Sequence, residues 1–313
     1  MLMIQNILLL LLLFIALGLA AELVVDNIKY LAKTLKMRLF AFGILLGIIT
    51  SLPELSVGIN AGINNLGAVS VGNLLGGVLV MLGLILGASL VLHRKVKTDG
   101  KLIAILPELS IIIIPLFLGM DGTFSRFDGL MMITAYFALI FYLYRINKKS
   151  GKITFAALDK NRILKAIFFA LIGTVAVLLI SNWIVRIASE IINTFHVNEL
   201  AIGLIFFAIG TNLPEISIAF TSWRKKTAEL SLNHLLSSAF TNILILGILS
   251  VLRPIAITTG LHYFLVTMFI IINIGLFIIF YKTQKKLDKN EGLALIFCYA
   301  FFIIANFWAL GQT

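Results

Sequence analysis

The sequence predicts an all-α polytopic membrane protein whose ten transmembrane helices form two inverted five-helix repeats. Three observations support this fold class. Of the 313 residues, 60% are hydrophobic and only 12% are charged, whereas soluble proteins average roughly 25% charged residues. Long apolar runs alternate with short basic loops, and one motif occurs twice, in equivalent spans. A water-soluble enzyme is therefore excluded, and the single cysteine, Cys298, excludes a disulfide-stapled domain.

The apolar runs predict the individual spans. About 20 mostly apolar residues cross a bilayer as a helix, and these runs lack the alternation of a half-buried strand. Backbone polar groups inside a membrane must be hydrogen-bonded internally, so we predict helices throughout. The ten spans are roughly 4–24, 38–60, 66–92, 101–120, 127–146, 163–187, 199–222, 229–251, 257–281 and 292–310. Residues 1–150 form the first predicted repeat and residues 151–313 the second.

Lysine and arginine residues decide the predicted orientation. When the loops are assigned alternately to the two sides, 22 of the 25 basic residues fall on one side, and only Arg126, Arg186 and Arg253 fall on the other. The positive-inside rule makes the crowded side cytoplasmic and places both termini outside. The net charge of +11 thus reflects topology, and we expect no nucleic-acid partner. The longest connection, about 147–161, is too short for a nucleotide-binding domain, so we expect no nucleotide. The sequence has no phosphate loop, zinc-ligand spacing or nucleophile elbow, so we also expect no cofactor and no enzymatic activity.

The repeat is visible in two shifts of the sequence. A shift of 161 residues aligns Thr-Ser-Leu-Pro-Glu-Leu-Ser (50–56) with Thr-Asn-Leu-Pro-Glu-Ile-Ser (211–217). A shift of 160 aligns Asn73 with Asn233 and residues 84–87 with residues 244–247. Because five is an odd number of helices, the second half inserts in the opposite orientation. Inverted repeats are common in secondary transporters, whose ion sites lie near the membrane midplane where the halves meet.

Two proline-glutamate pairs interrupt equivalent predicted spans. Pro53 and Pro214 each remove a backbone donor, which frees a carbonyl group near mid-span to coordinate a cation. The hydroxyl groups of Thr50, Ser51 and Thr211 lie beside these breaks. The sequence therefore predicts clusters of oxygen ligands at two related points within the membrane.

Glu54 and Glu215 place one carboxylate at each break. A charge at mid-span costs a few kcal/mol or more, so by default it marks a functional site with a partner. No lysine or arginine lies at mid-span in either half, so the expected partner is a cation from solution. Carboxylate, hydroxyl and carbonyl oxygens suit Ca²⁺ or Na⁺. The alternative is that each proline only kinks a helix and each glutamate is protonated or snorkels, which explains one pair better than two symmetric ones.

The doubled motif resembles the alpha repeats of the cation/calcium exchangers, a family that includes sodium/calcium and calcium/proton antiporters. Gly-Thr-Asn-Leu-Pro-Glu (210–215) is similar to the family's Gly-Thr-Ser-Leu-Pro-Glu, and Gly72-Asn73 is similar to its Gly-Asn. The resemblance implies alternating access, in which two gating helices slide against a rigid core of eight helices.

The resemblance also implies a set of ligands. Glu54 and Glu215 are then the central Ca²⁺ ligands, assisted by main-chain oxygens of Thr50 and Thr211. The implied flanking Na⁺ sites use the carbonyls of Gly47 and Ala208 and the side chains of Ser51, Asn212 and Ser237. Thr241 and the repeat asparagines Asn73 and Asn233 complete the candidate set.

Several positions depart from the family pattern. The residue eight after each repeat asparagine is Met81 in one half and Thr241 in the other, where the family has an amide or a carboxylate. Gly77 stands where the second half keeps Ser237, and Asn212 replaces a serine. Because these changes remove oxygen ligands around the glutamates, they leave the counter-ion and the cation selectivity open.

The sequence favours a secondary active antiporter that exchanges Ca²⁺, or a similar cation, for Na⁺. A cation/proton exchanger is the alternative. A channel or a non-transporting, cation-regulated membrane protein is a third possibility, and the retention of both Pro-Glu breaks argues against it. We also expect a monomer in a prokaryotic cell membrane, with inorganic cations and lipid as its partners.

A third copy of the motif, Leu-Pro-Glu-Leu-Ser at 106–110, lies beside Lys101 at the predicted start of the fourth span. Proline and an acidic residue are ordinary in the first turn of a helix. We therefore predict that Glu108 has no role in transport.

Overall fold

The computed structural model describes residues 2–34, 39–93, 95–97, 102–146, 160–195, 197–224, 228–283 and 286–311. Its α-helices are α1 (Leu2–Thr34), α2 (Leu39–Thr50), α3 (Leu52–Ile63), α4 (Gly67–Leu79), α5 (Leu86–His93), α6 (Leu102–Leu118), α7 (Arg126–Ile146), α8 (Lys160–Phe195), α9 (Glu199–Ile202), α10 (Ala208–Thr211), α11 (Leu213–Arg224), α12 (Ala228–Leu252), α13 (Leu261–Thr283) and α14 (Lys289–Leu310). Two π-helical segments, Val80–Ile85 and Gly203–Phe207, and a 3₁₀ turn, Gly119–Asp121, continue neighbouring helices. The short strands are β1 (Lys95–Lys97), β2 (Thr123–Phe124), β3 (Ile255–Ala256) and β4 (Lys286–Asp288).

The helices agree with the predicted membrane class. Within the described residues, seven helices are long and apolar enough to cross a membrane, and the bent pair Glu199–Thr211 and Leu213–Phe220 makes an eighth. The predicted span 38–60 differs, because it is divided into α2 and α3 of 12 residues each. The helix within the predicted span 101–120 has 17 residues. The count of ten and the division into repeats stay predictions, and the boundary between residues 150 and 151 lies outside the described residues.

Some helices are longer than the apolar runs that predicted them. α8 has 36 residues, whereas the predicted span covers only 163–187. Arg186 and Glu190, both good helix formers, sit near the polar end of this segment, so the helix continues after the apolar run ends.

The two most buried spans form the centre of the molecule. They are α4 with the π segment and α5 that follow it, and α12. These two spans pack on each other, with α7 against α12 and α14 against α5. α1 packs along α8, and both carry many exposed leucine, isoleucine and phenylalanine side chains.

Glycine lets α4 approach the π segment Gly203–Phe207 at backbone distance. A β-carbon added to Gly72 would overlap the carbonyl oxygen of Leu200 and lie 2.9 Å from the Cα atom of Gly203. No other residue type fits at this contact without moving a helix. The neighbouring residue, Asn73, is thereby held against the second helix break.

Two antiparallel strand pairs join the connections at the ends of α6 and α13. β1 pairs with β4, with Lys95 opposite Asp288, and β2 pairs with β3, with Thr123 opposite Ala256. The chain runs from β1 through α6 to β2, and from β3 through α13 to β4. The two pairs therefore hold α6 and α13 antiparallel to each other.

Polar side chains link α3, which carries Glu54, to α8. The hydroxyl groups of Ser56 and Ser181 lie 2.5 Å apart, and the Asn60 amide donates a hydrogen bond of 2.9 Å to the Ser181 oxygen. Asn182 donates a further bond of 2.8 Å to the Asn60 side-chain oxygen. Ser181 is thus the shared partner that joins the two helices.

Ser181→Ala is expected to lower the free energy of unfolding by about 1 kcal/mol, the usual value of a hydrogen bond inside a membrane protein. Thermal unfolding of the purified protein in detergent measures this change. Asn193→Ala serves as the control, because Asn193 is exposed and its hydrogen bond among the described residues stays within α8, to Ser189 at 3.3 Å. Two variants of equal stability would contradict a bridging role for Ser181.

Candidate cation-binding site

Two helix breaks with the same backbone geometry form the frame of the site. Ser51 separates α2 from α3 with φ −88° and ψ 12°, and Asn212 separates α10 from α11 with φ −85° and ψ 13°. These are the positions aligned by the shift of 161 residues. Pro53 and Pro214 follow at the second position of α3 and α11, where a missing N–H group leaves no helical hydrogen bond unmade.

Side chains at the breaks bond to the carbonyl groups predicted as ligands. The Ser51 hydroxyl donates to the Gly47 carbonyl at 2.9 Å, and the Asn212 amide donates to the Ala208 carbonyl at 2.8 Å. Thr50 also donates to Gly47, at 3.2 Å. In both halves, the side chain at the helix break therefore orients the carbonyl group four residues before it.

Each glutamate is contacted by a threonine from the other motif. The Thr211 side chain lies close to Glu54, and the Thr50 side chain lies close to Glu215. Ser238 of α12 adds a bond of 3.4 Å to Glu215 Oε1 and lies 3.2 Å from the Thr50 hydroxyl. Ser238 thus links Thr50 at the first break to Glu215 at the second, so the two breaks form one site.

Both carboxylates are buried and incompletely bonded. Glu54 and Glu215 are each 1% exposed, because each begins a helix at the centre of the protein. Within the described part of the chain, the Oε2 atom of each has no hydrogen-bond partner. Buried polar atoms are normally satisfied, and a buried charge needs an opposite charge nearby. These two oxygens can therefore receive a cation or protons.

Neutral oxygens and amides surround the carboxylates. Asn73 is fully buried, and its side-chain oxygen accepts a bond of 2.9 Å from Thr211. Asn233 lies in α12, but its side chain is outside the described residues. No group of three or more His, Cys, Asp or Glu residues comes together in the described ranges. Neutral groups would therefore complete any coordination around the two glutamates.

The two sides of the site differ at the positions that depart from the family pattern. A β-carbon on Gly47 would lie 2.6 Å from the Ser237 hydroxyl and 3.5 Å from the Thr241 hydroxyl. On the other side, a β-carbon on Gly77 would meet the amide nitrogens of Asn212 at 3.1 Å and Asn242 at 3.0 Å, and the Met81 methyl group at 3.8 Å. Hydroxyl groups line the first side, whereas amides and a thioether fill the second.

Two further site residues were not found by comparing the repeats. Ser238 bonds Glu215, and the Asn242 amide donates to the Leu74 carbonyl at 3.0 Å. Their aligned positions in the first half are Val78 and Leu82. A search for residues shared by both halves cannot find polar groups that occur in only one of them.

The position of Glu108 differs from the prediction. α6 begins at Leu102, close to the predicted start of the span 101–120, so Pro107 and Glu108 lie inside the helix and their placement in its first turn was wrong. Apolar residues before the proline continue the helix, and proline is tolerated within membrane helices. The absence of a transport role for Glu108 stays a prediction.

Comparison with known proteins shows which family the chain belongs to. A family model described as "sodium/calcium exchanger protein" matches residues 5–145 and 165–308. The chain belongs to the sodium/calcium exchanger family. The match covers both helix breaks and all the candidate ligands, and it makes the protein an integral membrane protein of a family of ion exchangers.

Individual relatives of the chain are distant but extend over most of its length. The sodium/calcium exchanger MaX1 of Methanosarcina acetivorans is 24% identical, covering 97% of this chain and 99% of its own. The structure of the sodium-calcium exchanger NCX_Mj has a TM-score of 0.66 at 21% identity, covering 96% of this chain and 98% of that one. The H⁺/Ca²⁺ exchanger CAX has a TM-score of 0.76 at 17% identity, covering 98% and 88%. The fold is thus shared with exchangers that use different counter-ions.

Proposed function

We propose that the protein exchanges Ca²⁺, or a similar divalent cation, for Na⁺ across the membrane. The observation that carries this proposal is the pair of buried carboxylates, Glu54 and Glu215, each of which keeps one oxygen without a hydrogen-bond partner among the described residues. Two negative charges match the two positive charges of Ca²⁺. The cations are substrates, and the proposal includes no cofactor.

Competition for this pair of carboxylates supplies the exchange mechanism. A bound Ca²⁺ neutralises both charges, and two monovalent cations can do the same. An empty site would carry two unpaired charges through the protein interior, which is costly. The empty transporter therefore changes its direction of access slowly, and one cation leaves only as another replaces it.

The remaining candidate ligands complete the proposed site. Thr50 and Thr211 would supply main-chain oxygens to Ca²⁺. The flanking ligands would be the Gly47 and Ala208 carbonyls, the side chains of Ser51, Asn212, Ser237 and Thr241, and the repeat asparagines Asn73 and Asn233. We also propose that the monomer is active, in a prokaryotic cell membrane, with basic loops in the cytoplasm and both termini outside.

Exchange of Ca²⁺ for protons is the second candidate. Met81 and the amides of Asn212 and Asn242 crowd one side of the site, which leaves fewer hydroxyl oxygens for Na⁺ there. Protons need no coordination shell, because they bind directly to the carboxylates.

Radioactive ⁴⁵Ca²⁺ uptake into proteoliposomes distinguishes the two counter-ions. A Na⁺ gradient and a pH gradient are imposed separately, with the same lipid and the same protein density. We expect the Na⁺ gradient to drive uptake. Uptake driven only by the pH gradient would show that the counter-ion is H⁺ and not Na⁺. The absence of uptake under both gradients would refute exchange.

The exchange is expected to be nearly electroneutral. With two carboxylates and no third acidic residue at the described site, two Na⁺ or two H⁺ per Ca²⁺ balance the charge. Moving one net charge across 100 mV is worth about 2.3 kcal/mol, so a three-to-one exchange would respond strongly to voltage. Ca²⁺ flux in proteoliposomes clamped at opposite potentials with valinomycin and potassium measures this response. A strong voltage dependence with steep Na⁺ activation would contradict the prediction.

A further inference from the structure

Tyr136 brings a hydroxyl group from α7 to the edge of the candidate site. The side chain is 1% exposed, and its ring packs against Phe240 of α12 at 5.8 Å between centroids. α7 can come this close because Gly129 has no side chain: a β-carbon there would lie only 2.6 Å from the Gly247 carbonyl oxygen. Two turns beyond that glycine contact, the tyrosine reaches the polar stretch of α12.

The hydroxyl group of Tyr136 has a neighbour but no completed hydrogen bond. It approaches the Thr241 hydroxyl, yet it has no hydrogen-bond partner within the described residues. Thr241 donates its own proton to the Ser237 carbonyl at 2.7 Å, so the lone pairs of the threonine oxygen remain available. A buried phenol oxygen without a partner is unfavourable, unless an ion or a water binds there.

The chain contains a matched tyrosine with a different neighbourhood. Tyr299 follows Gly292 by seven residues, as Tyr136 follows Gly129, and Gly292 meets the Gly87 carbonyl oxygen as Gly129 meets that of Gly247. Tyr299 packs against the π segment Val80–Ile85, where its Cβ atom would lie 3.1 Å from a β-carbon on Gly83. The Tyr299 hydroxyl also has no hydrogen-bond partner among the described residues, but the position aligned with Thr241 is Met81, so that segment offers no second hydroxyl oxygen there.

We propose that Tyr136 and Thr241 form a neutral oxygen subsite for Na⁺. The two hydroxyl oxygens, beside Ser237, bind the ion directly or through one of its waters. Oxygen ligands suit a hard cation such as Na⁺. Gly47, which lies beside the Ser237 and Thr241 hydroxyls, is in the last two turns of α2, just before the helix break that precedes Glu54. Tyr136 of α7 thereby supplies an oxygen ligand beside Thr241, the position in α12 where the family pattern has an amide or a carboxylate. It rests on the proposed exchange function.

Thermal stability of the purified protein, titrated separately with NaCl and CaCl₂ at constant ionic strength, tests this subsite. Choline chloride keeps the ionic strength constant as the NaCl or CaCl₂ concentration changes. Tyr136→Phe is expected to weaken the apparent Na⁺ affinity about five- to tenfold, the effect of one ligand oxygen. The Ca²⁺ affinity should stay within about twofold, and Thr241→Val should act like Tyr136→Phe without adding to it. The cation-free variant should be no less stable than the wild type, because the hydroxyl group makes no bond there.

Tyr299→Phe is the matched control and should leave both titrations unchanged. An unchanged Na⁺ titration in Tyr136→Phe, or an equal loss in Tyr299→Phe, would overturn the subsite. A wild-type protein that Ca²⁺ stabilises and Na⁺ does not would overturn it while leaving Ca²⁺ transport in place. If neither cation stabilises the wild type, the proposed function fails together with the subsite.

Discussion

Replacing Glu54 or Glu215 by glutamine is expected to abolish calcium exchange while leaving the fold intact. Glutamine keeps the size of the side chain and a carbonyl oxygen that can accept hydrogen bonds, so it still fits beside Thr211 and Thr50. It removes one of the two negative charges that face a bound Ca²⁺. Breaking a buried ionic pair by removing one partner costs about 3–5 kcal/mol, which predicts at least a 100-fold loss of flux at fixed Ca²⁺.

Proteoliposome uptake of ⁴⁵Ca²⁺ measures this loss, and gel filtration in detergent verifies that the variants are folded. Glu108→Gln is the control, because it makes the same chemical change in a third Leu-Pro-Glu motif within α6. We expect that variant to transport at nearly the wild-type rate. Folded Glu54 or Glu215 variants with near-normal exchange would refute the assignment of the site. An equal loss in Glu108→Gln would extend the site to α6.

Gly72→Ala is expected to be the most damaging substitution outside the carboxylates. The added methyl group would overlap the Leu200 carbonyl and press on Gly203 and Leu204, whose backbone atoms cannot turn aside. Overpacking of this kind costs about 1–3 kcal/mol and occasionally more. Separation of α4 from the second break should also weaken the hydrogen bond from Thr211 to Asn73, so transport should fall together with stability.

Gly275→Ala is the control for this substitution. Gly275 lies in the interior of α13, and no described atom comes within 4 Å of an added β-carbon. Alanine should therefore stabilise the helix by about 0.5–1 kcal/mol. Thermal unfolding and Ca²⁺ uptake of the two variants give the comparison. If Gly72→Ala melts at the same temperature as Gly275→Ala, the backbone contact at Gly72 is not essential.

The sequence predicted the parts of the site that depend on local chemistry. Pro53 and Pro214 indicated where the helices break, and unpaired acidic residues beside them indicated a cation site. Both features follow from residue type and spacing alone. The break at Ser51 also explains why the predicted span 38–60 is two helices, although the sequence did not show how far the helix axis would be interrupted.

The remaining parts of the site depend on which helices touch. The site places Thr50 beside Glu215 and Thr211 beside Glu54. These residues are more than 150 positions apart, and no local pattern contains that pairing. Tyr136 lies in a helix with no intramembrane charge, so its phenol group resembled an ordinary apolar ring. The repeated seven-residue spacing between glycine and tyrosine was present in the sequence, but its meaning depends on the contact between α7 and α12.

The length of α8 has a consequence for the lipid around the protein. Its 36 residues extend about 54 Å at 1.5 Å per residue, while the hydrocarbon layer is about 30 Å thick. The helix must lean or project from the membrane, and a thicker bilayer favours a more upright helix. Ser181 ties α8 to the helix that carries Glu54. We therefore expect the acyl-chain length of the surrounding lipid to affect the geometry around one of the two carboxylates.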